Sequence, residues 1–187
     1  LRHLPHARLV VHPRGAPHMI DPAKLIAGAT AVYGEARFRA LYGEVVPVAA
    51  ERVIEAPDNF QLDFNGRPLL FLDTPGHARH HYCIYDATSR GIFSGDTFGL
   101  SYREFDTEQG PFLFPTTTPV QFDPEALHAS IERLVSFNPD CMYLTHFGAV
   151  GNVVPLAARL HRGIDAFVDL AQSCAAADGR RAALTES

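Results

Sequence analysis

Apolar runs of four to six residues alternate with longer stretches of helical periodicity, and this pattern predicts a fold of mixed α and β structure. Runs with strand character span residues 7–12, 51–54, 60–64, 69–73, 81–85, 91–94 and 141–144. Helical stretches span residues 21–44, with an interruption near Gly34, and about 123–138 and 152–177. Asp21 and Asp123 each precede a proline, which is typical of a helix start.

Shorter signals predict how these elements connect. Residues 12–17 are predicted to form a loop, residues 1–5 the end of a helix, and residues 178–187 a frayed tail. Asn65-Gly66 between two apolar runs predicts a tight hairpin. Residues 98–122 contain prolines and aromatic side chains without regular periodicity, so we expect a long loop, and loops of that length are usually functional.

Three motifs each place a metal-type ligand just after a predicted strand. TPGH ends at His77, FSGDT contains Asp96 nineteen residues later, and YLTHFG contains His146 fifty residues after that. If the strands at 69–73, 81–85 and 91–94 form an up-down-up meander, His77 and Asp96 emerge at the same edge, about 10 Å apart. Imidazole and carboxylate ligands suit zinc, iron or manganese, and a carboxylate can bridge two ions.

The succession TPGH, SGDT and THFG resembles the second, third and fourth metal motifs of the metallo-β-lactamase fold hydrolases, the superfamily that includes glyoxalase II. The resemblance covers roughly residues 9–150. It implies an α+β fold, the αββα sandwich, with a metal site at one edge of two sheets. It also implies two divalent metal ions, with zinc favoured over iron or manganese. His77 would bind the first ion, His146 the second, and Asp96 would bridge them.

The family's first motif, His-x-His-x-Asp-His, is absent from this sequence. In the family this motif supplies four of the seven usual ligands. We therefore interpret residues 1–187 as a single domain that corresponds to the C-terminal two thirds of a longer one, with apolar surface left exposed. Three ligands spread over two ions leave each with two protein donors, fewer than the three that a catalytic zinc keeps. We expect this chain by itself to be inactive.

Further candidate residues follow from the resemblance and from the aromatic loop. Candidates for a substrate pocket are His12, His18, Phe98, Tyr102 and Phe114. Candidates for holding the metal ligands by hydrogen bonds are Asp73, His81, Thr97 and Thr145. An aromatic rim favours a partly apolar organic substrate over a polyanion. Ser94 lacks the G-x-S-x-G context of a nucleophile elbow, which argues against serine hydrolase chemistry.

Charge and composition argue against some classes of binding partner. The net charge of −5 and the lack of a basic run argue against nucleic acid, and no apolar stretch reaches the ~20 residues of a membrane span. Three widely separated cysteines are typical of reduced thiols in a cytoplasmic protein. We expect a small-molecule substrate as the partner, with neither nucleic acid nor membrane, and a homo-oligomer as an open alternative.

Three functions fit the sequence. The leading hypothesis is a metal-dependent hydrolase that directs a metal-activated hydroxide at a small ester, thioester, lactone or amide. The second is redox chemistry on iron, such as persulfide oxidation, which some relatives of the fold carry out. The third is a non-catalytic fragment or binding module. Oxygen consumption with a persulfide would favour the second hypothesis, and hydrolysis without oxygen the first.

Overall fold

Strands and helices occur in both halves of the chain, as the α+β prediction requires. The computed structural model describes residues 3–117 and 121–174. By its internal contacts the chain divides into two units, Leu1–Pro57 and Asp58–Ser187, each of which contains its own sheet. The assignment of all 187 residues to one domain remains a prediction.

The first unit has a two-stranded parallel sheet and three helices. Its elements are β1 (Leu9–Val11), α1 (Ala16–Ile20), α2 (Ala23–Tyr33), α3 (Glu35–Tyr42) and β2 (Val53–Glu55). The predicted interruption at Gly34 is confirmed, because this glycine separates α2 from α3 with a φ of +78°. Parallel strands need a crossover connection, which the three helices provide.

Three predictions for the first unit are corrected by the backbone hydrogen bonds. The loop predicted for residues 12–17 ends at Gly15, because the carbonyl of His12 accepts the N–H groups of Gly15 and Ala16 and starts α1. Residues 3–6 form turns rather than the end of a helix, and residues 1 and 2 lie outside the described residues. Asp21, predicted as the N-cap of the next helix, instead ends α1, and Pro22 occupies the N-cap position of α2; the Asp21 carboxylate accepts the N–H of Ala23 at 3.1 Å.

The second unit is built on a six-stranded sheet whose strands follow one another in chain order. They are β3 (Phe60–Phe64), β4 (Arg67–Asp73), β5 (Tyr82–Asp86), β6 (Gly91–Gly95), β7 (Cys141–Leu144) and β8 (Gly148–Val150). The predicted meander of β4, β5 and β6 is confirmed, since both pairs are antiparallel. The hairpin at Asn65-Gly66 is also confirmed, with both residues at positive φ.

The β6–β7 pair is parallel, unlike every other neighbouring pair of this sheet. The connection between the two strands therefore has to cross over, and it does so through residues 96–140, which include α4 (Pro124–Ser136). A second helix, α5 (Val153–Ser173), follows β8. β8 was not predicted, because a three-residue strand beginning with glycine has too little pattern to detect.

The core lies between this sheet and the two helices. It includes buried side chains from the strands and from α4 and α5: Leu72, Cys83, Ile92, Met142, Leu127, Ile131, Leu134, Leu160 and Ile164. The start of α4 is capped as predicted, because the Asp123 carboxylate accepts the N–H of Ala126 at 3.0 Å. The predicted last residues of α5, 175–177, and the tail lie outside the described residues.

The long loop is irregular, as predicted, over the part that the structure describes. It contains one short 3₁₀ turn, Arg103–Phe105, and two backbone pairings: Leu100 and Phe114 exchange N–H···O bonds of 2.9 Å, and Thr107 and Gly110 exchange bonds of 3.1 and 2.9 Å. None of the helices within residues 3–117 and 121–174 is long and apolar enough to cross a membrane.

A buried carboxylate stabilises the turn between β5 and β6. The Asp86 side chain is inaccessible to solvent, and Arg67 donates from Nε to its Oδ1 at 3.0 Å and from Nη2 to its Oδ2. Ser89 Oγ and the N–H of Thr88 also donate to this carboxylate. The hydrogen bond from Arg67 is the main reason that the pKa of Asp86 lies well below its usual range.

We predict that Asp86→Asn destabilises the second unit by about 1–3 kcal/mol at pH 7, because Arg67 and Ser89 lose the one carboxylate to which both donate. A depressed pKa in the folded state contributes stability above the unfolded value of about 3.9, and this stability is lost as the pH falls. Urea denaturation between pH 7 and pH 3 should show a steeper acid loss for the wild-type chain than for Asp86→Asn. Parallel pH profiles would contradict the assignment.

Candidate metal centre

The ends of β4, β6 and β7 bring His77, Asp96 and His146 together. His77 Nε2 lies 3.4 Å from Asp96 Oδ2, and His146 Nε2 lies 3.6 Å from Asp96 Oδ1. Each oxygen of the carboxylate therefore faces one imidazole. β4 and β6 run in the same direction, and β7 is parallel to β6, so all three residues follow strands that end at one edge of the sheet.

His77 is oriented by the long loop. Its Nδ1 lies 3.3 Å from the carbonyl oxygen of Thr116, and a carbonyl can only accept. The proton of the neutral ring therefore sits on Nδ1, which leaves the Nε2 lone pair on the side of Asp96. Thr116 also donates from Oγ1 to the carbonyl of Asp96 at 2.6 Å. One threonine thus fixes two of the three candidate ligands.

His81 holds the backbone of Asp96 from the other side. Its Nε2 accepts the N–H of Asp96 at 2.9 Å, and its Nδ1 lies 3.0 Å from the hydroxyl oxygens of both Thr74 and Thr97. Because Nε2 accepts, the neutral ring carries its proton on Nδ1 and donates it to a hydroxyl. A Cβ on Gly95 would lie 2.3 Å from His81 Nε2, so glycine is needed there.

Helix α4 holds the TPGH turn. The carbonyl of Gly76 accepts the N–H of Asp123 at 2.8 Å, and Ser130 Oγ donates to the carbonyl of Pro75 at 2.6 Å. Gly76 has a φ of +130°, and a Cβ there would lie 2.3 Å from the backbone nitrogen of Leu127. The turn that delivers His77 can approach the helix this closely only with glycine.

An aromatic surface begins next to His146. It consists of Tyr102, Phe105, Phe112, Phe114 and Phe147, and four of these, all except Phe112, are exposed. The ring centroids of His146 and Phe147 lie 5.9 Å apart, those of Phe147 and Tyr102 5.4 Å, and the contacts continue through Phe112 to Phe114. This series of rings can bind apolar groups beside the candidate ligands.

A polar cavity of about 290 Å³ lies next to Asp96. It is lined by His77, Ala78, His80, His81, Tyr82 and Asp96. Cys83 is adjacent in sequence but is fully buried, and burial raises the pKa of its thiol to about 12. Its Sγ lies in the hydrophobic core and donates to the carbonyl of Ser94 at 3.2 Å, so Cys83 does not line the cavity, whose donors are nitrogen and oxygen.

The donors fit a cation. Asp96 Oδ1 is buried and has no hydrogen-bond partner among the residues that the structure describes. It lies in a group of electron-pair donors with no positively charged side chain between them, an arrangement that a metal ion would stabilise. Within residues 3–117 and 121–174, no three His, Cys, Asp or Glu side chains converge closely enough to hold an ion as they stand.

Comparison with known proteins decides the family. A model described as the metallo-beta-lactamase superfamily matches residues 1–146. The chain belongs to this superfamily. The match confirms the resemblance carried by TPGH, SGDT and THFG, and with the similar solved structures it confirms the predicted α+β fold class.

The archaeal protein ST1585 is similar to this chain in both sequence and structure. The chain is 30% identical over 100 residues to the metallo-beta-lactamase fold-containing protein ST1585 of Sulfurisphaera tokodaii, covering 54% of the chain and 34% of ST1585. The crystal structure described as ST1585 from Sulfolobus tokodaii matches with a TM-score of 0.69 and 25% identity, covering 87% of the chain and 60% of that structure.

Two more distant structures share the superfamily fold. The metallo-beta-lactamase family protein TTHA1429 of Thermus thermophilus matches with a TM-score of 0.61 and 18% identity, over 90% of the chain and 55% of that structure. TTHA1623 in a di-iron-bound form matches with a TM-score of 0.53 and 24% identity, over 84% of the chain and 65% of that structure. The chain thus spans between about a third and two thirds of these relatives' lengths.

The other sequence candidates occupy different environments. Thr97 contacts His81, whereas Asp73 is held through its backbone, whose N–H donates to Asp58 and whose carbonyl accepts from Arg133. Thr145 is exposed, with its N–H 3.5 Å from the carbonyl of Gly95. 

The five residues proposed to line a substrate pocket lie in different parts of the structure. Phe98 is wholly buried in the hydrophobic core rather than lining an open pocket, whereas Tyr102 and Phe114 belong to the aromatic surface. His12 and His18 lie in the first unit. His12 is buried and its Nδ1 accepts the N–H of Arg14 at 3.0 Å, while His18 lies on α1.

Sequence reasoning missed two residues at the site. Thr74 is the first residue of TPGH, and its buried hydroxyl contacts His81 and Cys83. Thr116 lies between two prolines in the irregular loop, where its contact with His77 depends on tertiary structure. The motif itself pointed to Thr74, whereas no local pattern pointed to Thr116.

We predict that the neutral His81 ring carries its proton on Nδ1, although the opposite tautomer is the usual one for an exposed histidine. Its Nε2 is engaged as the acceptor for Asp96, so only Nδ1 can be protonated. Long-range ¹H–¹⁵N correlation spectra of the labelled chain will show this directly. A protonated Nε2 on His81 would contradict the proposed hydrogen-bond network, and the spectrum of a His81→Gln variant assigns the resonances.

Proposed function

We propose that the protein to which this chain belongs is a metal-dependent hydrolase acting on a small ester, thioester, lactone or amide. The observation that carries the proposal is the Asp96 carboxylate, which has one imidazole facing each oxygen and a buried oxygen without a hydrogen bond. Such an arrangement suits a carboxylate that bridges two cations. Membership of a superfamily that contains many metal-dependent enzymes supports it.

The residues present would hold two divalent ions in defined roles. His77 would bind one ion, His146 the other, and Asp96 would bridge them. When bound, a divalent ion such as zinc would lower the pKa of a bound water toward ~7 and would also polarise the substrate carbonyl. Three donors over two ions are fewer than a catalytic site requires, so we propose that activity needs further ligands beyond these three residues.

The chain's own residues prepare the site before any substrate binds. Thr116 keeps the lone pair of His77 Nε2 directed toward the Asp96 side, and His81 fixes the backbone from which the Asp96 side chain extends. In both hydrogen bonds the supporting residue is the acceptor and is itself at least partly buried. This support reduces the reorganisation that ligand binding would otherwise require.

The aromatic surface indicates the kind of substrate. Its rings start beside His146 and present apolar faces to solvent, and Arg103, which lies between Tyr102 and Phe105, is paired with Asp106 at 3.3 Å. We propose that it binds the apolar part of the substrate, with the reactive carbonyl placed over the cavity next to Asp96. A polyanionic substrate would find no charge complement among these rings.

Iron chemistry is the second candidate. The nitrogen and oxygen donors of this site accommodate iron as well as zinc, and TTHA1623 was solved in a di-iron-bound form. An iron content with oxygen consumption would favour a redox reaction over hydrolysis. The free cysteines Cys83, Cys141 and Cys174 fit the proposal of a reducing cytoplasmic location for either activity.

We predict that Asp96→Asn in the protein with its full ligand set abolishes turnover and removes most of the bound metal. The amide keeps the shape of the side chain but loses the charge that bridges the ions. Hydrolysis of a panel of aryl and acyl esters, thioesters and lactones, together with elemental analysis, measures both effects. Normal metal content with retained activity would overturn the role assigned to Asp96.

Asp140→Asn is the matched control for this substitution. Asp140 is exposed and pairs with Arg90 at 2.8 Å just before β7. Loss of an exposed ion pair costs about 0–1 kcal/mol, so the control should keep its metal and its activity. Equal losses in both variants would indicate a general effect of removing a negative charge rather than a specific effect at Asp96.

A further inference from the structure

Two histidines that are not part of the candidate metal centre face each other between α4 and α5. The rings of His128 and His161 have centroids 4.8 Å apart and an interplanar angle of 24°. Their Nδ1 atoms are only 2.5 Å apart. Both side chains are mostly buried, with 29% and 21% of their surfaces exposed.

A carboxylate approaches the outer nitrogen of each ring. Asp165, one turn after His161 on α5, places Oδ1 3.0 Å from His128 Nε2. Glu132, one turn after His128 on α4, places Oε1 2.8 Å from His161 Nε2, although off the line of a hydrogen bond. Each helix therefore supplies one imidazole and the carboxylate for the other helix's imidazole.

This arrangement determines where the protons of the neutral rings lie. An ionised carboxylate only accepts, so it favours a proton on the adjacent Nε2 and leaves Nδ1 with a free lone pair. The lone pairs of His128 and His161 then point at each other across 2.5 Å. Two neutral acceptors repel at that distance, so without a metal one proton is shared between the two Nδ1 atoms, and a divalent cation would take the place of this proton.

The geometry points to a transition-metal site, and we propose that His128 Nδ1 and His161 Nδ1 together bind one divalent ion such as zinc, copper or nickel. Imidazole nitrogen is a preferred donor for these ions. Two nitrogens that each lie 2.0–2.1 Å from a tetrahedral ion are roughly 3.3 Å apart. The two Nδ1 atoms are 2.5 Å apart, so the rings have to separate by about 1 Å for the ion to fit. 

The two carboxylates complete the local chemistry. Ligating histidines commonly donate their other ring N–H to a carboxylate, which is the position of Asp165 beside His128; Glu132 lies 2.8 Å from His161 Nε2 and would have to turn to accept its proton. Their two negative charges balance a divalent ion. Because no three such side chains converge within residues 3–117 and 121–174, the site would have two protein donors, and water would fill the remaining positions.

The test is a zinc and nickel titration of the chain, followed by calorimetry and by ¹⁵N spectra of the histidine rings. We expect saturable binding of one ion at this site, with both Nδ1 resonances shifted and both Nε2 protons retained. The double variant His128→Asn/His161→Asn should lose one equivalent of metal. Unchanged stoichiometry in that variant, or Nδ1 resonances that do not respond to metal, would overturn the proposal.

Two further comparisons separate a metal site from a structural contact. Asp165→Asn should weaken binding about 10–100-fold, whereas Asp169→Asn, an exposed carboxylate one turn further along α5, should leave it unchanged. Asp96→Asn should leave this equivalent intact, because the inference does not depend on the proposed function. Equal effects of Asp165→Asn and Asp169→Asn would contradict the assigned role of Asp165.

Discussion

The hydrogen bond from the backbone N–H of Asp96 to His81 Nε2 is the interaction on which the candidate centre depends. It fixes the backbone of the one carboxylate residue that both His77 and His146 face. It also occupies the lone pair of His81 Nε2, which is therefore not available to bind a metal. His81 is held in turn by Thr74 and Thr97. The site is therefore a carboxylate supported by buried, neutral groups, which leaves its oxygens available to a cation.

The sheet topology explains why three distant motifs meet. The antiparallel steps from β4 to β6 return the chain to the same edge, and the parallel β6–β7 pair brings the third motif there after a long crossover. That crossover also forms part of the candidate centre, because it supplies Thr116 to His77 and four of the five rings of the aromatic surface. The loop that the topology requires thus provides most of the surroundings of the site.

The sequence predicted the parts of this structure that local patterns determine. Apolar runs located β3–β7, Asn65-Gly66 located the hairpin, and the glycines of TPGH and SGDT marked turns whose tight packing the structure shows at Gly76 and Gly95. Contacts between distant segments were not predictable in this way. Thr116 and the His128–His161 pair come together only through tertiary packing, and the burial of Phe98 depends on where the loop turns inward.

The most direct test of the central claim is anomalous X-ray diffraction from crystals of the protein grown with zinc and, separately, with iron. The account predicts anomalous density within about 2.2 Å of Asp96 oxygens, on the sides that face His77 and His146, with the absorption edge identifying the element. Ordered crystals that contain metal but show no such density at Asp96 would contradict a metal centre built on this carboxylate.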